Sequence, residues 1–189
     1  YGGQEPTPGF TKSLSRFYRQ ALTGLGLTET AGFCTFTNCN QIDSGNSLGY
    51  ESPLMKLTIR EPMKPNGSAG KVKPNGFVGE ICLEGPQVFL GYLGDEASTA
   101  KTISTDGILY TGDMGKYFPK QGLQLSGRRK LILKPKGYQV FPGEIESFIA
   151  ERLSSKVVSV ACVGVPHRAY SEAVVAFIVT RNGEDLDEQ

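Results

Sequence analysis

Apolar residues recur along this chain with two different rhythms, and the rhythm changes near residue 130. Over residues 7–21, Phe10, Leu14, Phe17 and Ala21 fall at helical spacing behind Thr7-Pro8, a hydroxyl N-cap with proline at the first helical position. Gly24 and Gly26 end that predicted helix. Residues 33–60 are mixed, but within them Met55, Leu57 and Ile59 alternate with Lys56 and Thr58, the period of a half-buried strand. Ile81 and Leu83 alternate in the same way with Glu80, Cys82 and Glu84. Gly67-Ser68-Ala69-Gly70 and Pro74-Asn75-Gly76 read as loops, and residues 119–122 as a hairpin turn between Tyr117-Phe118 and Leu123-Gln124-Leu125. Residues 50–128 are therefore expected to form mostly short antiparallel strands.

Beyond that stretch the pattern changes. Pro142-Gly143 precedes a predicted helix whose Ile145, Phe148, Ile149 and Leu153 share one face. Residues 157–165 and 173–179 are nearly continuous apolar runs. Two such runs and one helix make a small α+β unit. The pattern divides the chain into residues 1–129 and 130–189.

Composition narrows the picture. A chain of 189 residues is about one domain and a fraction, long enough to bury a core without staples. Gly (24) and Pro (11) exceed the usual share of roughly 12%, which means many turns or backbone brought close to a ligand. Twenty basic and 19 acidic side chains leave a net charge of +1, too little to recruit nucleic acid. No stretch approaches the 18 consecutive apolar residues of a membrane span. The four cysteines, Cys34, Cys39, Cys82 and Cys162, form no Cys-x-x-Cys pair. A zinc site is not expected, and scattered thiols suit a reducing compartment, the cytoplasm with the peroxisome as the alternative. The first residue is Tyr1 rather than Met, which suggests processing or an internal slice of a longer chain.

Four short motifs carry candidate chemistry. In Leu25-Gly26-Leu27-Thr28-Glu29-Thr30, glycine allows close backbone approach, a hydroxyl can reach a phosphate oxygen and a carboxylate can hold a divalent metal. On spacing alone, a helix end leading into a polar strand is the favoured reading, because no Gly-x4-Gly-Lys-Ser/Thr loop is present. In Tyr110-Thr111-Gly112-Asp113 the Asp is either a turn residue or a bidentate acceptor for the two hydroxyls of a ribose. Gly127-Arg128-Arg129-Lys130, with Lys134-Pro135-Lys136-Gly137-Tyr138, is either a solvated basic stripe or a phosphate contact beside the domain joint. The stretch from Gly79-Glu80-Ile81 to Gly91-Tyr92-Leu93 reads as a strand between glycine turns. His167 is the single imidazole, set in a predicted loop, with a surface or structural role expected.

Together, in this order and spacing, the motifs resemble the adenylate-forming superfamily of acyl- and aryl-CoA synthetases, luciferase-like enzymes and adenylation domains. Gly26-Leu27-Thr28-Glu29 is similar to its Gly-x-Thr-Glu core, and Tyr110 to Asp113 to its Tyr-x-Gly-Asp element. Gly79 to Leu93 resembles its Gly-Glu-(Leu/Ile)…Gly-Tyr-Leu stretch. Residues 127–130 and 136–146 look like its hinge and the start of its lid. The opening Gly2-Gly3-Gln4-Glu5-Pro6 resembles the loop that borders adenine. The likeness runs from residue 2 to about residue 179. The implied fold class is α+β: the C-terminal part of a large domain, with short antiparallel strands in a β-barrel-like subdomain, plus a small α+β lid.

The resemblance also implies roles. Thr28 would touch the α-phosphate, Glu29 would help to hold Mg²⁺, and Asp113 would bind the ribose hydroxyls with Arg128 nearby. Gly3, Gln4, Leu25 and Gly26 would border the nucleotide; the family usually has an aromatic residue where Leu25 stands. Ala31 and Gly32 would line the acyl pocket. Lys130 would be the hinge, and Lys134 and Gly137 would face the site in a second, thiol-accepting step. The cofactors implied are ATP (leaving as AMP), Mg²⁺, and coenzyme A or the phosphopantetheine of a carrier protein. The substrate implied is a small carboxylic acid. The family's Gly/Ser/Thr-rich phosphate loop and its adenylation lysine are not found in these residues, so the chain is expected to act with a missing N-terminal part of the same protein. A non-catalytic nucleotide-binding piece is the alternative from another class.

Overall fold

The computed structural model describes residues 22–37 and 47–181. The helix expected over residues 7–21 and the adenine-bordering Gly3 and Gln4 lie outside the described residues. The chain packs as two compact units, Tyr1–Leu125 and Ser126–Gln189.

The first unit is built on an antiparallel sheet of four strands in the order β5-β6-β7-β8: Lys56–Arg60, Gly79–Glu84, Leu109–Phe118 and Gly122–Arg128. Strand β5 and the β7–β8 turn follow the sequence pattern. Met55 and Ile59 point into the core, 6% and 4% exposed, and a four-residue turn joins β7 to β8 with Gln121 N–H donating to Phe118 C=O (3.1 Å). Strand β6 departs from its pattern. Both of its faces are covered from Gly79 to Leu83, so Glu80 and Cys82 are as buried as Ile81 and Leu83. The reason is that each face meets its own cluster: Ile81 and Leu83 lie in the main core, and Cys82 packs with Ile108, Tyr110, Met63 and Ala69 on the other side. The strand order is open, continued at its edges by single bridges from Val72 to Arg60 and from Ser47 to Gln124.

Among the described residues, four two-residue strands precede this sheet. Strands β1 (Gly26–Leu27) and β2 (Gly32–Phe33) pair antiparallel, as do β3 (Thr35–Phe36) and β4 (Tyr50–Glu51). Leu25, Cys34, Leu48, Met55, Ile59, Ile81, Leu83, Leu109 and Leu123 form one core cluster. Helix α1 (Glu96–Thr102) was not expected from the pattern, because it has no apolar face. None of its residues is buried, and it is held instead by Asp95, whose side chain accepts the Ser98 N–H (2.9 Å).

The second unit contains helix α2 (Pro142–Arg152) and the hairpin of β9 (Val157–His167) and β10 (Ser171–Thr180). Proline stands at the start of α2, where a missing N–H costs nothing. Glu146 on α2 reaches across to accept the Cys162 N–H of β9 (2.7 Å). His167 is the last residue of β9 rather than a loop residue. Its Nδ1 accepts the Ala169 N–H (3.2 Å) and its ring stacks on Tyr170 (4.5 Å between centroids, 8° between planes), so it closes the β9–β10 turn.

Candidate functional site

Residues 25–35 form a tight hairpin whose tip is a single 3-10 turn, Thr28–Thr30. The turn exists because Thr30, fully buried, completes the hydrogen bonds that so short a loop lacks. Its hydroxyl accepts the Leu27 N–H (3.2 Å) and lies within donating distance of the Gly32 (2.8 Å) and Leu27 (3.1 Å) carbonyls. Ala31 follows at φ 51° and Gly32 at φ 139°. A Cβ at Gly32 would meet nothing within 4 Å, so that glycine serves the backbone turn and faces open space. Thr28, Ala31 and Gly32 are exposed and Glu29 is half-exposed. The hairpin thus turns Thr30 inward and displays a hydroxyl and a carboxylate side by side.

The base of the hairpin is clamped. Thr35, fully buried, accepts the Leu25 N–H (2.8 Å) and donates to the Leu48 carbonyl (2.7 Å). The Leu25 carbonyl accepts the N–H of Cys34 (2.8 Å) and the Cys34 thiol (3.2 Å). Leu25 is 8% exposed and belongs to the core. The Leu25 side chain packs inward, and its backbone N–H and C=O are both engaged. Gly26 remains exposed at the start of the hairpin.

A second segment grips the hairpin tip. The Phe89 N–H donates to the Glu29 carbonyl (2.9 Å), and the Tyr92 hydroxyl donates to Glu29 Oε1 (2.6 Å). That hydrogen bond to the Glu29 carboxylate pushes the Tyr92 phenol above its ordinary value. Tyr92 belongs to the Gly-Tyr-Leu motif, and that motif was the one available sign that it stands at the site.

Asp113 owes its position to a bulge. The β6–β7 register slips between Glu80 and Cys82, which places Thr111, Gly112 and Asp113 in a bulge opposite Ile81. Three contacts shape the slip. Gly112 takes φ 73° and its N–H donates to Glu80 Oε1 (3.0 Å). The Thr111 hydroxyl donates to the Ile81 carbonyl (2.8 Å) and accepts the Asp113 N–H (3.1 Å). Glu80, 2% exposed, is therefore a shaping residue that the strand pattern hid. Asp113 itself is 3% exposed, and its charge contributes to the raised pKa of Cys34 at the base of the hairpin.

The second unit holds its candidates separately. Lys130 lies in the 3-10 turn Arg129–Leu131, and Arg128 and Lys130 are exposed. Lys134 is exposed, and its backbone N–H donates to Glu172 Oε2 (2.5 Å). The turn Pro135–Gly137 docks on the start of β10: the Lys136 N–H donates to the Tyr170 carbonyl (3.1 Å), and Lys136 Nζ sits 4.2 Å from the Tyr170 ring centroid. Gly137 takes φ 82° with open space around it.

Among the described residues no three His, Cys, Asp or Glu side chains gather as a metal cage. The Glu29 carboxylate has one oxygen engaged by Tyr92. Such a donor set suits Mg²⁺ brought in on nucleotide phosphates and keeping most of its waters.

Comparison with known proteins places the chain by sequence and fold. Residues 1–93 match the family model described as AMP-binding enzyme. The chain is 35% identical to the 4-coumarate–CoA ligase-like 9 protein of Arabidopsis thaliana over 167 residues, 87% of this chain and 28% of that protein. The crystal structure of ATP-bound MatB from Rhodopseudomonas palustris superposes with a TM-score of 0.77 at 32% identity, covering 88% of this chain and 32% of that one. The amide bond synthetase McbA from Marinactinospora thermotolerans gives a TM-score of 0.78 at 28% identity, over 94% and 35%. The chain thus spans about a third or less of these relatives. An exposed Thr-Glu turn, a bulge carrying Asp113 and these likenesses in sequence and fold make the chain a member of the adenylate-forming, AMP-binding enzyme superfamily.

Proposed function

We propose that this chain carries the nucleotide-facing loops and the lid portion of an enzyme that activates a carboxylic acid with ATP and passes the acyl group to a thiol. The observation that carries this reading is the Thr28–Thr30 turn, which holds a hydroxyl and a carboxylate clear of the core on a clamped hairpin. A carboxylate is a poor electrophile because its leaving group would be oxide. Attack of its oxygen on the ATP α-phosphorus expels pyrophosphate and gives an acyl-adenylate, from which AMP can leave. The barrier lies in charge that develops on phosphate oxygens. In this reading the Thr28 hydroxyl donates to the α-phosphate, and the Glu29 carboxylate would hold Mg²⁺, which when bound offsets phosphate charge. Asp113 accepts from both ribose hydroxyls, which requires its buried carboxylate to be uncovered when nucleotide binds.

The thiol step draws on the second unit. Two half-reactions at one site need different groups, and a lid that turns between them meets that need. Lys130 serves as the hinge, with residues 1–129 and 130–189 as the two bodies, and Lys134 and Gly137 face the site in the second step. The relatives named as CoA ligases support coenzyme A as acceptor. Their names include both 4-coumarate and long-chain fatty acid, so the substrate is stated as a carboxylic acid.

Calorimetric titration of AMP and MgATP tests this reading. Asp113→Ala is expected to remove most of the AMP affinity, and Glu29→Ala to weaken MgATP while leaving AMP unchanged. Unchanged AMP binding in Asp113→Ala would remove the ribose role. No helix among the described residues is long and apolar enough to cross a membrane.

A further inference from the structure

Glu29 is held from two sides by a segment about 60 residues further along the chain, and only one of those contacts is needed to fix its backbone. The Phe89 N–H already anchors the Glu29 carbonyl (2.9 Å). The Tyr92 hydroxyl then takes up one oxygen of the Glu29 carboxylate at 2.6 Å, the length of a charge-assisted O–H···O⁻ bond. Tyr92 is itself braced. Its ring meets Phe89 edge-on (4.8 Å between centroids, 75°), and its N–H donates to Thr99 Oγ1 (2.9 Å) on α1. The same Thr99 hydroxyl donates to the Asp95 carbonyl (2.9 Å). Gly91, at φ 142°, brings the chain so close to Thr99 that a Cβ would lie 2.7 Å from its Cγ2. A short helix with no buried residue, α1, thereby gains a purpose: it holds the backbone of Tyr92 in place.

We infer that Tyr92 is a positioning residue, whose hydroxyl fixes the Glu29 carboxylate in one rotamer and leaves its second oxygen free to face a cation carried by ATP. This rests on the reading of Glu29 given above. An unbraced Glu has three rotatable bonds, and ordering it on binding costs side-chain entropy. A carboxylate already held by an outer partner avoids that loss, which is why such partners change metal affinity roughly 10–100-fold.

The test uses Mn²⁺ as a spectroscopic stand-in for Mg²⁺. Electron paramagnetic resonance follows Mn²⁺ binding to the chain in saturating ATP, for wild type, Tyr92→Phe, Glu29→Ala and the double variant. Tyr92→Phe keeps the ring and its packing, so its melting temperature should match wild type. Its Mn²⁺ affinity is expected to fall roughly tenfold, and Glu29→Ala to fall further. Adding Tyr92→Phe to Glu29→Ala should change nothing more, because the phenol acts only through the carboxylate. Gly91→Ala, which displaces Tyr92 without removing its hydroxyl, should reproduce the Tyr92→Phe loss. If Glu29→Ala binds Mn²⁺ as wild type does, or wild type shows no saturable binding, the reading of Glu29 fails and this inference with it. If Glu29→Ala is weakened but Tyr92→Phe is not, or the two losses add in the double variant, the Tyr92 inference alone is overturned. A crystal structure of Tyr92→Phe with the Glu29 carboxylate still ordered in the same rotamer would also overturn it.

Discussion

Thr35 makes the sharpest test of how the Thr-Glu turn is held. Its hydroxyl is the single side-chain group joining the Leu25 N–H (2.8 Å) to the Leu48 carbonyl (2.7 Å), and Thr35 has no exposure to solvent. Thr35→Val replaces that hydroxyl with a methyl of nearly the same size, so little cavity or overpacking arises. Two main-chain groups on residues that are each 8% exposed then lose this partner. At about 1–3 kcal/mol for each buried group left unsatisfied, the expected loss is about 2–6 kcal/mol. Thr35→Ser keeps both hydrogen bonds and loses one buried methyl, about 1 kcal/mol. Valine, the better strand former, should therefore be the worse substitution here. Urea unfolding followed by far-ultraviolet circular dichroism provides the assay, since the chain contains no Trp. Amide exchange adds a local readout: the Leu25 N–H should lose protection in Thr35→Val and keep it in Thr35→Ser. A Thr35→Val variant as stable as Thr35→Ser, with Leu25 still protected, would refute the clamp.

Three further outcomes are expected. Ser171 sits at φ 59°, a conformation unfavourable for any residue with a Cβ, so Ser171→Gly should stabilise the second unit by about 0.5–1 kcal/mol in thermal melts. Burial pushes the Cys34 thiol up to about 11 from 9.0, the nearby Asp113 charge adding to it and the Thr30 hydrogen bond opposing it. Because the folded pKa is the higher one, the unfolded chain loses its proton first. The contribution is complete below pH 9 and declines as pH rises towards 11, by no more than about 3 kcal/mol. Melts at pH 8.5 and 10.5 should show this slope in wild type and a shallower one in Cys34→Ala. Lys130→Pro, placed in a parent enzyme carrying both half-reactions, should spare one and damage the other; equal loss of pyrophosphate exchange and thioester formation would remove the hinge role.

Local pattern determined a large part of this protein. Alternation over residues 55–59, the turn at 119–122, the helix after Pro142 and the two apolar runs each became the expected element. Those segments owe their structure to side-chain periodicity, which is a property of neighbours in sequence. The order of four short motifs likewise pointed to the family. Tertiary structure decided what periodicity does not carry. Glu80 and Cys82 read as solvent-facing, yet β6 is covered on both faces, and the buried Glu80 carboxylate shapes the bulge that carries Asp113. Leu25, inside the first motif, packs into the core, which the motif alone does not reveal. Helix α1 had no apolar stripe to announce it, because a hydroxyl network rather than burial fixes it. Tyr92 and Glu29 are 63 positions apart. Their hydrogen bond depends on where two turns meet in space, and a sequence fixes such a meeting only through the fold it builds.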